Sequence, residues 1–204
     1  MAYATSSDTR PVVAAKVLIA GGLGAGKTTL VGALSEIDVL STEETMSAVS
    51  VGVDHLTGTE PKTTTTVAMD FGRITLAAHN PVRGAYLVQV MLFGTPGQDR
   101  FWFMWDDLVR GAIGGIVLAD TRRLEDCFPA VEFFECRRTP FVVAVNAFDN
   151  TYRYSVDEIR DALDLAPDVP VLSCDARSRD SGRTVLVELV LHAITRAATP
   201  AARS

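Results

Sequence analysis

Apolar residues in this chain fall into short unbroken runs, and the stretches between them repeat with a helical period. VVAAKVLIAG (12–21), AIGGIVLAD (112–120), PFVVAVNAF (140–148) and VPVLS (169–173) read as strands covered on both faces. TVAMDFGRITLA (66–77) alternates, as a strand with one wet face does. It is separated from AYLVQVMLFG (85–94) by HNPVRG, whose Asn-Pro and Gly mark a turn, so the two form a hairpin. Helical patterns occupy KTTLVGALSEI (27–37), DRFWFMWDDLVRG (99–111), RLEDCFPAVEFFECRR (123–138), SVDEIRDALDL (155–165) and TVLVELVLHAITRAA (184–198). Pro129 lies early in its helix, where a missing N–H matters least. Ser155 and Glu158 form a capping box. Strands alternating with helices predict right-handed crossovers, helices on both faces, and a mostly parallel six-stranded sheet with one antiparallel edge strand. Residues 38–66 have no period and read as a long irregular connection of functional origin. Residues 11–197 read as one domain, with flexible termini at 1–10 and 198–204.

The first strand runs into LIAGGLGAGKTTLVGAL, with Gly21, Gly26, Lys27 and Thr28 at the spacing G-x-x-x-x-G-K-[ST]. Glycines there let backbone N–H groups turn toward an anion, and the helix that follows adds the positive end of its dipole. Gly21, Gly24, Ala25, Gly26, Lys27, Thr28 and Thr29 are therefore expected to hold nucleotide phosphates. Lys27 supplies charge to the outer phosphates, and Thr28 a hydroxyl for Mg²⁺.

Composition narrows the partners. The chain has 204 residues and a net charge of −6, which excludes the basic surface that general nucleic-acid binding needs. No apolar run is long enough to span a bilayer, so no direct membrane insertion is expected. The three cysteines Cys127, Cys136 and Cys174 form no CxxC pair and read as reduced thiols. A cytoplasmic protein follows, one that a partner can still recruit to the membrane. His55, His79 and His192 show no metal-ligand spacing.

Further motifs resemble the base- and γ-phosphate-reading segments of small GTPases. Asn146 to Asp149 (NAFD) is similar to N-K-x-D, with Ala147 for the lysine; Asp149 would accept from guanine N1–H and its exocyclic amine. CDAR (174–177) stands where those proteins carry S-A-K, so the N–H of Asp175 or Ala176 would donate to guanine O6. FGTPGQDRF resembles D-T-A-G-Q-E, with Gly97 sensing γ-phosphate and Gln98 orienting the attacking water. Gly94 occupies the place of the Mg²⁺-linked aspartate, which is thus missing. TVAMDF resembles the T-I-G-V-D-F of Rab proteins, which makes Thr66 the switch threonine for Mg²⁺ and γ-phosphate; Thr63, Thr64 and Thr65 leave its register open. Leu23 stands where Ras has glycine and would crowd the glutamine.

The order of these segments resembles a Ras-like G domain of the P-loop NTPase fold. Within that class TTTTVAMDFG, LFGTPGQDRFWFMW, VNAFD and CDAR are similar to MglA-like proteins and to the conservon (CvnD-type) GTPases of actinobacteria. The resemblance implies a Mg²⁺-dependent switch that hydrolyses GTP to GDP, slowly without an activating partner. Lys27, Thr66 and Gln98 would be its catalytic residues. It also implies a roadblock-family regulator, a small companion protein and a membrane sensor-kinase-like complex. Two rivals stand beside it. Gly94 and Ala147 motivate a non-hydrolysing guanine-nucleotide scaffold. Asp120, read as a displaced Walker-B aspartate rather than a strand-end cap, motivates a P-loop metabolite kinase. The consecutive Phe101, Trp102, Phe103, Met104 and Trp105 cannot all face one core, so either a partner surface or complete burial is expected for them.

Overall fold

The computed structural model describes residues 10–46, 65–82, 84–97, 104–149 and 151–198, with the side chains of 42–46 and 65–68 outside the description. Among the described residues seven strands form one sheet: β1 (Val12–Ala20), β2 (Leu40–Met46), β3 (Thr65–Asn80), β4 (Gly84–Gly94), β5 (Gly114–Ala119), β6 (Phe141–Asn146) and β7 (Val171–Cys174). Their spatial order is β2-β3-β4-β1-β5-β6-β7. All neighbours pair in parallel except β2–β3 and β3–β4, so β3 alone runs against the rest. The expected mostly parallel α/β sheet is present, with two corrections. It has a seventh strand, β2, and the antiparallel strand lies one place in from the edge that β2 forms. The sequence LSTEETM gave no sign of this because an edge strand needs neither an apolar run nor strict alternation.

Alternation inside the apolar runs builds two cores. In β1, Val17 and Ile19 face one side and Leu18 and Ala20 the other. Ile116 and Leu118 of β5 and Val142 and Ala144 of β6 join the first set; Val117, Ala119, Phe141 and Val143 join the second. Helices α1 (Lys27–Leu34) and α5 (Arg179–Ala198) cover the first face through Leu30, Val31, Leu34, Val185, Leu186 and Leu189. Helices α2 (Trp105–Val109), α3 (Phe128–Cys136) and α4 (Val156–Ala162) cover the second, with Trp105, Phe133, Phe134 and Ile159. Each fully buried aliphatic or aromatic side chain contributes about 1.5–3 kcal/mol of transfer free energy.

Helix boundaries differ from the sequence reading at several ends. A 3-10 turn, Leu124–Cys127, precedes α3, and Pro129 falls in the first turn of that helix. The capping box at Ser155 forms in full. Helix α5 starts five residues earlier than its apolar pattern, at Arg179. Within the aromatic stretch, Phe101–Phe103 lie outside the described residues, and Trp105 is buried against Phe133 at 5.1 Å. The three cysteines are free. Among the described residues no helix is long and apolar enough to cross a membrane.

The chain leaves β1 toward β2–β4 on one side and, after β4, enters β5 on the other. The loop after β1 therefore sits at the carboxyl ends of the parallel strands, where the sheet order reverses and ligands bind in open α/β sheets.

Candidate nucleotide site

The loop Gly21–Gly26 closes tightly between β1 and α1. Gly21 has φ +134°, and a Cβ there would lie 2.3 Å from the Leu118 carbonyl oxygen. Gly26 has φ +102° and caps α1, and a Cβ there would lie 2.7 Å from Asn146 Nδ2. Any side chain at either position is excluded by both angle and space. Lys27 folds back over the loop, its Nζ donating to the carbonyls of Gly21 (2.9 Å) and Gly22 (2.7 Å). Burial of its ammonium pushes its pKa from 10.5 down to about 8, partly offset by Asp70 and, more weakly, Asp126. A phosphate placed there would restore the charged form. Binding should thus take up a proton above about pH 8, and affinity should fall by up to about tenfold per pH unit beyond that point. Isothermal titration across that range checks this; an affinity flat to pH 9.5 or so would sink it.

Next to Lys27 lies a carboxylate that the sequence reading did not assign. Asp70 on β3 is buried, its Oδ2 accepting from the Thr28 hydroxyl at 2.5 Å and its Oδ1 from the Ser41 hydroxyl at 2.7 Å. It faces Gly94 across the hairpin register, and a Cβ on Gly94 would lie 3.2 Å from Asp70 Cβ and 3.3 Å from Oδ2. A carboxylate from the neighbouring strand thus occupies the space that the glycine at 94 leaves. The signal was available: the HNPVRG turn pairs Asn80 with Gly84, and counting back along both strands pairs 70 with 94. Among the described residues no group of three or more His, Cys, Asp or Glu forms a cage for a metal. A hydroxyl and one carboxylate are nonetheless hard oxygen donors of the kind Mg²⁺ takes alongside nucleotide phosphates.

A cavity of about 280 Å³ opens over Lys27, Thr28, Asp70, Thr95 and Gly97. Gly97 approaches closely, since a Cβ on it would lie 2.7 Å from Lys27 Nζ and 3.1 Å from the Leu23 backbone. Of the predicted residues, Thr66 is held away from this cavity by its strand register. It pairs with Thr45 in the β2–β3 ladder, four residues and about 13 Å along the strand from Asp70. Gln98 lies outside the described residues.

A second cavity, about 180 Å³, shares Gly24, Gly26 and Thr29 with the first and extends to Asn146, Asp149 and Arg177. Asn146 joins the two halves of the cleft: its Nδ2 donates to Ala25 O (2.9 Å), and its Oδ1 accepts from Ala176 N (3.0 Å). That corrects one expectation. The Ala176 N–H is held by Asn146, and the Asp175 N–H donates to Ser181 Oγ at 2.9 Å, so both proposed O6 donors are occupied. The Asp149 carboxylate stands at the mouth of this cavity, gripped by Arg177 through Nη1 at 3.0 Å and Nη2 at 3.3 Å. Arg177 also holds Asp175, which keeps that carboxyl below its usual range. A third cavity, about 270 Å³ between Tyr152, Tyr154 and Ser173, meets the site only at Asn146 and Ala147.

Asp120 is committed elsewhere. Arg122 binds it through its backbone N–H, Nε (2.8 Å) and Nη2 (2.6 Å), and these bonds hold the carboxyl below its usual range. It is a strand-end cap, and the kinase reading loses its Walker-B residue.

A search of curated proteins returned no match for the chain. One family, described as a conserved hypothetical ATP binding protein, matches residues 19–196, from the last residues of β1 almost to the end of α5. That match overturns the assignment to the MglA-like and conservon GTPases. The shared segments are short stretches around the phosphate loop and the base side of the cleft, and the match over residues 19–196 weighs the whole domain instead. The roadblock and sensor-kinase partners rested on that resemblance alone. A cradle of this geometry, matched over nearly all of the sheet and helices that carry it, makes this a P-loop nucleotide-binding protein; the chain belongs to the conserved hypothetical ATP-binding protein family.

Proposed function

We propose that this protein hydrolyses a purine nucleoside triphosphate, GTP in preference to ATP, with Mg²⁺. The observation that carries hydrolysis, rather than binding alone, is the Asp70 carboxylate 2.5 Å from the Thr28 hydroxyl, beside Lys27. Phosphoryl transfer needs positioning and charge neutralisation more than covalent chemistry from the protein. Lys27 and the loop N–H groups hold the β- and γ-phosphates, and Gly97 brings its backbone to the γ end. Thr28 and Asp70 would hold the Mg²⁺, which would supply neutralisation of phosphate charge. Gln98, directly after Gly97 in the chain, orients the water. Leu23 beside Gly97 makes turnover slow.

The base preference rests on Asp149, whose two oxygens suit guanine's adjacent donors, N1–H and the amine; adenine has no such pair. A second reading, ATP as substrate, is favoured by the family's description and by the occupied Asp175 and Ala176 N–H groups. Competition binding with GTP, ATP and GDP on wild type and Asp149→Ala separates the two. For the guanine reading, the variant should lose about tenfold or more of GTP affinity with ATP unchanged, since one charged hydrogen bond contributes about 1.5–3 kcal/mol. Equal affinities in wild type would favour ATP and remove Asp149 from base reading.

A further inference from the structure

We propose that Arg123 is a catalytic residue, an arginine supplied by the protein's own chain to the phosphates being cleaved. The inference rests on the hydrolytic reading above. Two arginines follow β5, and the fold sends them to different tasks. Arg122 is spent on Asp120 and on the Phe148 ring, which its guanidinium covers at 3.7 Å. Arg123 reaches the cradle, with its Nη2 donating to the Leu23 carbonyl. A Cβ on Gly24 would lie 3.4 Å from that same Nη2, so the guanidinium lies along the loop's outer edge.

The reach is braced from below. Asp126, one turn on, lies 3.7 Å from Arg123 Nε and packs on Gly22, where a Cβ would lie 2.4 Å from its own Cβ. Arg123 and Asp126 therefore grip adjacent parts of the same loop.

The charge balance separates this arginine from Arg122, Arg137 and Arg177. Arg177 lies between Asp149 and Asp175, Arg137 bonds Asp106, and Arg122 holds Asp120 at three atoms. Arg123 is held by a neutral carbonyl and one carboxylate at ion-pair range, and its Nη1 has no partner among the described residues. Its side chain stays about half exposed, at 48%. A positive fork with unspent donors thus sits over Leu23–Gly24. Gly24 lines both the phosphate cavity and the base cavity, so a phosphate chain that spans them passes the loop residue along whose outer edge the fork lies.

In the reaction, water attacks the γ-phosphorus and the bond to the β–γ bridging oxygen breaks. That electron pair stays on the β-phosphate, and the water's proton leaves with inorganic phosphate. Negative charge grows on the bridging and β-oxygens, and a donor held in advance stabilises it with little reorganisation. Arginines in this role contribute about 10³–10⁵ in rate where measured in other nucleotide hydrolases.

The test is single-turnover hydrolysis, nucleoside-diphosphate affinity and capture of the diphosphate–aluminium fluoride complex, for wild type, Arg123→Ala and Arg123→Lys. Arg123→Ala should lose about a hundredfold or more in turnover and fail to capture aluminium fluoride, while diphosphate affinity stays within about threefold. Arg123→Lys, with the charge but not the fork, should fall between. Turnover and capture equal to wild type would overturn the proposal. So would a parallel loss of diphosphate affinity that accounts for the whole rate effect, since that marks a brace for the loop. Wild-type protein that binds nucleotide and never cleaves it would overturn the hydrolytic reading itself, and this role with it.

Discussion

Lys27→Met should abolish nucleotide binding and at the same time stabilise the empty protein. The ammonium lies 2.9 and 2.7 Å from two loop carbonyls, ready for the anion that belongs there. Removing one such preorganised donor lowers turnover by about 10²–10³. Stability should move the other way. A lysine whose folded pKa is about 8 against an ordinary 10.5 binds fewer protons folded than unfolded between those values. Stability therefore rises with pH across that window, and the penalty is fully present below about 8. Its ceiling is roughly 3 kcal/mol, at 1.36 kcal/mol per pH unit. Methionine fills similar volume without the charge but leaves the Gly21 and Gly22 carbonyls unpaired, so a net gain of about 1–2 kcal/mol is expected. Chemical denaturation at pH 7 and at pH 10 checks this. The variant should be the more stable at pH 7, and the difference should shrink at pH 10. A variant less stable than wild type at pH 7 would show that the two carbonyl contacts outweigh the desolvation of the charge.

The second large effect belongs to Asp70. Asp70→Ala should lower Mg²⁺-dependent turnover about a hundredfold, the scale on which partners that set a metal site act. Loss of a carboxylate alone would not show that it replaces the one absent at 94, but exchanging the two positions would. Because 70 and 94 face each other and Gly94 leaves its space to Asp70, Asp70→Gly with Gly94→Asp returns a carboxylate to the same place from the other strand. This double variant should regain at least about tenfold over Asp70→Ala. Gly94→Asp alone should be worse than wild type, because its Cβ would sit 3.2 Å from that of Asp70 and bring two carboxylates together. A double variant no better than Asp70→Ala would mean that Asp70 acts through Ser41 and the strand rather than through the metal side.

What the sequence by itself determined follows from local physics. Short apolar runs bounded by turn residues and separated by helical patterns fit strands of a covered sheet, which made the parallel sheet legible. The cradle was legible for the same reason: Gly21, Gly26, Lys27 and Thr28 lie on one short stretch of chain, so their spacing carries the geometry of the loop. The capping box at Ser155 and the early Pro129 are also short-range and appear as expected.

Only the tertiary structure decided the rest, because each remaining feature joins residues far apart in the chain. The carboxylate beside Thr28 comes from position 70, across a strand pair from Gly94, and only the register of that pair brings it there. From sequence the N–H groups of Asp175 and Ala176 look like open donors, but Ser181 and Asn146 accept from them. Arg122 and Arg123 are adjacent and chemically alike, and nothing local distinguishes the one that caps Asp120 from the one that reaches a loop 100 residues away. Strand β2 pairs at an edge, where backbone hydrogen bonding to β3 sets the structure and side chains need no pattern. Backbone geometry within a few residues can be written into a short motif. The placing of charges across strands depends on register and packing, and those exist only once the sheet has formed.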